Sequence, residues 1–154
     1  MYERKNSNYI IVFCSVVLTT LEHFSSTVKQ EYIEPFEEQP WNNFFQCAVS
    51  FLTQNSLQLE SFSHGKRLMI TSRYGDMRRK AAELIRVMWF SLGESKRVQF
   101  VPGIAGTFLD MTLVPEPELR SSTIPIFFDM MRCEHDRQGT IKAVCNTFFA
   151  NLHR

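Results

Sequence analysis

Four side chains near the C-terminal end, Cys133, His135, Cys145 and His153, are the first candidates for chemistry. Thiolates and imidazoles are the ligands of tetrahedral zinc sites. The spacing opposes that use, because residues two apart on a helix point about 200° away from each other and Cys133 therefore diverges from His135. No metal is expected. His23 and His64 stand alone, with no serine or cysteine arranged beside them as a nucleophile and base. Gly103-Ile-Ala-Gly106 lacks the Lys-Ser/Thr ending of a phosphate loop and a buried strand before it, so no nucleotide or other cofactor is expected.

A basic cluster offers a different kind of function. Lys66, Arg67, Arg73, Arg78, Arg79, Lys80 and Arg86 face only Asp76 and Glu83 within their own window. Arg78, Arg79 and Lys80 fall in the first turn of a helix, where the macrodipole disfavours each cation by a few tenths of a kcal/mol. An acidic protein partner, an anionic lipid head group or an internal acidic segment such as Glu31 to Glu38 would compensate them. Arg78, Arg79, Lys80 and Arg86 are accordingly the candidate partner or lipid contacts, against the plainer alternative of a solvated face whose ion pairs add little.

These side chains need elements to carry them, and the composition points to helices. The chain has 154 residues, 44% hydrophobic and 21% charged, enough for one domain with a core. It uses 14 Phe against 6 Gly and 6 Pro, which suits aromatic packing between helices better than a turn-rich β-sandwich. The net charge of +1 gives no overall drive toward nucleic acid, and none is expected as a partner. Cys14, Cys47, Cys133 and Cys145 lie far apart without paired spacing and read as reduced core thiols, which fits a cytoplasmic protein.

Apolar periodicity places the elements. Tyr9 to about Phe24 is apolar almost all round, which predicts a buried helix or, from its β-branched content, a strand. Arg4 and Lys5 before that run also fit the charged start of a signal peptide, without a clean small-residue cleavage site after it. A short helix is predicted over Ser26 to Glu34, then a polar connection over Glu37 to Pro40. Trp41, Phe45, Ala48, Val49 and Leu52 share one helical face, with a bend expected near Thr53 to Ser56 and a break at His64-Gly65.

Gly75 supplies a stop and Asp76 an N-cap for the best amphipathic helix, with Met77, Ala81, Leu84, Ile85, Met88, Trp89 and Leu92 on one side. Val98 to Pro102 reads as extended, and Ile104 to Thr112 as a helix packed closely at Gly103 and Gly106. Leu119, Thr123, Ile126, Phe127, Met130 and Met131 form another face, with Arg120, Ser121, Ser122, Asp129 and Arg132 turned away. Pro125 should kink or split that helix. Met77, Met88, Met111, Met130 and Met131 read as core fillers. Successive one-sided helices joined by short turns predict an all-α fold, an irregular armadillo/HEAT-like α-solenoid.

Several blocks resemble the dedicator of cytokinesis (Dock) family: Trp41-Asn-Asn-Phe-Phe45, Phe51 to Glu60, Tyr74-Gly-Asp-Met-Arg-Arg79, Met111 to Arg120 and Thr123 to Met131. The likeness divides the chain into a divergent apolar segment 1–24, a Dock-like helical region 25–137 and a divergent tail 138–154. The resemblance implies a cytoplasmic guanine nucleotide exchange factor for Rac and related Rho-family GTPases, recruited to the plasma membrane and acting in cytoskeletal and migration signalling. It implies that this stretch is the non-catalytic helical scaffold between a lipid-binding region and an exchange region. The partners it implies are the other regions of the same protein, with a Rho-family GTPase and an adaptor reached through them. No catalytic residue carries over. A free-standing helical interaction module, secreted or membrane-tethered through its first twenty-odd residues, is the alternative.

Overall fold

A computed structural model describes residues 2–101 and 103–152, with side chains over 9–101 and 103–150. Among the described residues there are eight α-helices and no strand: α1 Tyr2–Glu31, α2 Glu38–Thr53, α3 His64–Tyr74, α4 Met77–Ser91, α5 Glu94–Phe100, α6 Ala105–Thr112, α7 Pro117–Gln138 and α8 Lys142–Leu152. Two 3-10 turns, Asn55–Leu57 and Leu59–Ser61, join α2 to α3. The all-α, solenoid-type expectation holds: α2 packs on α1, α4 and α6, α4 also packs on α7, and α6 carries α7 and α8.

Helix α2 begins with Pro40 in its first turn, where a missing N–H costs nothing. Its inner face contains every residue of the Trp41 series and adds Phe44 and Phe51. Phe45 is the centre of an aromatic cluster, 5.3 Å between ring centroids from Phe108, 5.5 Å from Phe44, 6.0 Å from Phe100 and 6.1 Å from Trp89. The rings meet edge-on or tilted, as their quadrupoles favour. Trp41 is fully buried yet satisfied, its Nε1 donating to the Tyr32 carbonyl at 3.0 Å.

Several local expectations need correction. Helix α1 runs unbroken to Glu31, which merges the first segment with the predicted Ser26 to Glu34 helix. The reason is a second period beneath the β-branched residues: Ile11, Cys14, Leu18, Leu21, Ser25 and Val28, all buried, step by three and four on one stripe. Its hydroxyls bond within the helix, Thr19 to the Ser15 carbonyl and Thr20 to that of Val16. The opposite side is exposed, so α1 is half-buried. Tyr9–Glu31 is long and apolar enough to cross a membrane by length and composition. Its inner stripe is nevertheless occupied by core packing against α2 and α4, and the helix does not indicate a membrane span.

Residues 94–100 are helical, which leaves Val101 as the extended part of the segment predicted over Val98 to Pro102, with Pro102 outside the described residues. His64 and Gly65 open α3 instead of breaking a helix, and Glu38 to Pro40 already belong to α2. Gly103 is exposed, and a Cβ there would make only an ordinary contact with the Phe100 carbonyl at 3.5 Å, so close packing does not require glycine. Cys14 and Cys133 are buried thiols as expected, but Cys47 is exposed and Cys145 half-buried. Pro125 sits inside one uninterrupted helix, so α7 does not split. The proline is on the exposed side, where water can reach the carbonyl it leaves unbonded.

Candidate functional site

The basic cluster is assembled around the N-terminus of α4. Gly75, at φ 69°, ends α3 with its N–H on the Thr71 carbonyl at 3.0 Å, a left-handed backbone that a side chain would strain. That sharp stop sets Asp76 as the N-cap of α4, accepting from the Arg78 N–H at 3.0 Å.

Arg78 then folds back under its own cap and is 1% exposed. Its Nε and Nη2 hold the two Asp76 oxygens at 3.0 and 2.7 Å, and Nη1 and Nη2 hold both Glu60 oxygens at 2.7 and 3.0 Å. Nη1 also reaches Gln58 Oε1 at 3.1 Å. Burial alone would lower the guanidinium pKa, but the bonds to Asp76 and Glu60 outweigh it and the net shift is upward. Glu60 is held below its ordinary value, mainly by the Arg78 hydrogen bonds. The network ties the 3-10 segment to the α3–α4 junction.

Arg79 points the other way, toward α7. Its Nη2 lies 2.6 Å from Glu116 Oε1, and its Nη1 is 2.5 Å from Glu118. Glu116 is buried and also caps α7 through the Leu119 N–H at 3.1 Å, so one carboxylate serves a cation and a helix N-terminus. Arg86 makes an exposed pair with Glu83 at 3.1 Å, and Lys80 is exposed. The compensating carboxylates are thus Glu60, Asp76, Glu83, Glu116 and Glu118, and not the segment Glu31 to Glu38. Periodicity could not find Glu60 or Glu116; the position of Glu116 directly before Pro117 was the one available sign of a cap.

A second buried node corrects the reading of α7. Asp129, expected to face away, is 7% exposed. It accepts from Trp89 Nε1 at 2.9 Å, Arg97 Nη1 at 2.5 Å and Arg132 Nη2 at 2.8 Å. Of the zinc candidates, Cys133 Sγ lies 3.9 Å from Asp129, His135 is exposed beside Asp136, Cys145 lies on α8, and His153 is outside the described residues. Burial and, after it, the Asp129 charge push the Cys133 thiol up from its ordinary value. Among the described residues no group of His, Cys, Asp and Glu is placed to hold a metal.

Glu134, one turn further, is 4% exposed and caps α8 across the turn, accepting from the Ala143 and Val144 N–H groups at 2.6 and 2.8 Å. Glu134→Ala is expected to cost about 1–2 kcal/mol, the upper range for a lost cap. Hydrogen exchange should then quicken in α8 while α2 and α4 keep their protection.

A succession of one-sided helices whose arginines tie neighbouring elements together is the architecture of a helical-repeat region, and the comparison with known proteins gives the same fold class. The description matching residues 1–154 is that of the dedicator of cytokinesis (DOCK) TPR region. Mouse dedicator of cytokinesis protein 3 is 44% identical over 131 residues, covering 84% of this chain and 6% of that protein. Human dedicator of cytokinesis protein 4 is 40% identical over 135 residues, covering 87% of this chain and 7% of its own length. No solved structure matches. The chain belongs to the dedicator of cytokinesis family, and it spans less than a tenth of the length of these relatives.

Proposed function

We propose that the chain is a non-catalytic helical spacer of a Dock-type exchange factor, lying between its lipid-binding and exchange regions. The parent activity on this reading is loading Rac or a related Rho-family GTPase with GTP in cytoskeletal signalling. The setting is the cytoplasm, with recruitment to the plasma membrane. The observation that supports it is the match of all 154 residues to a helical region of the family. The two most demanding cations of the cluster fit the same role, since Arg78 and Arg79 are engaged by carboxylates of the chain itself.

Of the candidate contacts, Lys80 and Arg86 are the ones we assign to a partner surface, with Arg78 acting through the fold alone. We propose the three-part division at 24 and 137 as one of family likeness; α1 runs across the first boundary, and the second falls at the C-terminal end of α7.

The purified chain, added to GDP-loaded Rac, is expected to leave nucleotide release at its background rate. Acceleration that grows with chain concentration would overturn the spacer assignment.

A further inference from the structure

Helix α3 rests on the body by one face and turns a basic, partly apolar face outward. Ile70 is its buried side chain. Opposite Ile70, the residues Gly65, Leu68, Met69 and Ser72 follow at i, i+3, i+4 and i+7, and all four are exposed. The sequence between Glu60 and Asp76 contains no acid. Arg73 stands one turn beyond Met69, and Lys80 reaches back over the same end of the helix, its Cε 3.9 Å from the place a Cβ on Gly75 would take. Arg67, beside Leu68, fixes its guanidinium on the Leu59 and Phe62 carbonyls at 3.1 and 3.3 Å. Among the described residues, Arg67, Arg73 and Lys80 have no carboxylate within ion-pairing distance, because the neighbouring acids in sequence, Glu60, Asp76 and Glu83, are held by Arg78 and Arg86.

We propose that the outer face of α3 is an interfacial membrane contact, and that its ligand is a bilayer surface rich in anionic phospholipid. Charge complementarity selects that occupant. Leu68 and Met69 form one apolar wedge bordered by cations, which matches an interface where negative head groups overlie the acyl boundary within about 5–10 Å. Arginine and lysine stems lie along apolar surface while their charged heads stay at head-group level. A further helix is the poorer occupant: packing needs an apolar stripe over several turns, whereas this face is apolar at its centre alone, and the helix would bury cations that lack a carboxylate. A purely acidic segment would answer the cations and leave Leu68 and Met69 in water. The inference rests on the assignment of Lys80 to a partner surface and names that partner; the spacer role is read separately, by nucleotide release from Rac.

Co-sedimentation of the intact chain with phosphatidylcholine vesicles, with and without phosphatidylserine, tests it. Binding is expected to the phosphatidylserine vesicles alone, and it should be lost as salt rises from about 0.1 to 1 M, where the Debye length shortens from about 10 to 3 Å. Arg73→Glu combined with Lys80→Glu should weaken binding about tenfold or more, as expected for two cations near an anionic surface. Leu68→Ser combined with Met69→Ser should weaken it severalfold by removing the wedge. All four positions are exposed, so circular dichroism of both variants should match the wild type. The proposal is overturned if the chain ignores phosphatidylserine vesicles at low salt, or if either double variant binds them as the wild type does. Binding to phosphatidylcholine alone that Phe13→Asp abolishes would overturn it by placing the lipid contact on α1. Retention on poly-glutamate by a chain that ignores both kinds of vesicle would overturn it in favour of an acidic protein partner.

Discussion

Arg78→Met is expected to lower the stability of the chain by about 3–5 kcal/mol, the range for removing one partner of a buried ion pair. The guanidinium satisfies Asp76, Glu60 and Gln58 from a position that is 1% exposed. Methionine fills comparable volume but donates nothing, so Asp76, with its side chain 11% exposed, keeps a charge that little water can reach. Glu60 is 43% exposed and rehydrates, so Glu60→Gln should cost far less than the arginine change. For a domain of this size the loss corresponds to a fall in Tm on the order of 10 °C.

The same network sets a pH dependence. Because the folded Glu60 carboxyl is held below its ordinary value, its contribution is present above the unfolded pKa of about 4.3 and is lost as pH falls through the lower folded value. Denaturant midpoints measured across that interval should decline in the wild type and decline less in Arg78→Met. A wild-type midpoint insensitive to Arg78 at every pH would show that the guanidinium contributes nothing net.

Asp129→Ala should have an effect of similar size, about 3–5 kcal/mol, and for a sharper reason. One carboxylate neutralises Arg97, whose side chain is 11% exposed, and accepts the buried Trp89 indole N–H. Arg97 Nε already lacks a partner, so removal of Asp129 leaves the guanidinium without its carboxylate as well. The damage joins three helices, α4, α5 and α7, and should be cooperative. Tryptophan emission would report it directly, since the Trp89 ring loses its anchor. Asp129→Asn retains an acceptor but no charge and should lie between alanine and wild type. If alanine and asparagine were both neutral, the node would be packing and not electrostatics.

Much of the scaffold is local information. The faces of α2, α4 and α6 were legible because each repeats an apolar residue at helical spacing, and the burial of Trp41, Ile85, Trp89 and Phe108 follows from that pattern. Asp76 after Gly75 announced a cap for the same reason, since capping involves neighbours two or three residues away. Asp129 was misplaced because a face assigned by hydrophobicity turns every aspartate outward, whereas a buried carboxylate is stable when three donors surround it.

The sequence by itself therefore determined an all-α chain of the dedicator of cytokinesis family, through helical periods and ordered blocks that are properties of short windows. Only the tertiary structure decided where its charges are satisfied. Arg78 meets Glu60 across 18 residues, Arg79 meets Glu116 across 37 and Trp89 meets Asp129 across 40. No helical period reaches that far, and only packed helices bring such groups within hydrogen-bonding distance. The same holds for α1, whose two apolar seams are alike in sequence and became different when α2 and α4 covered one of them.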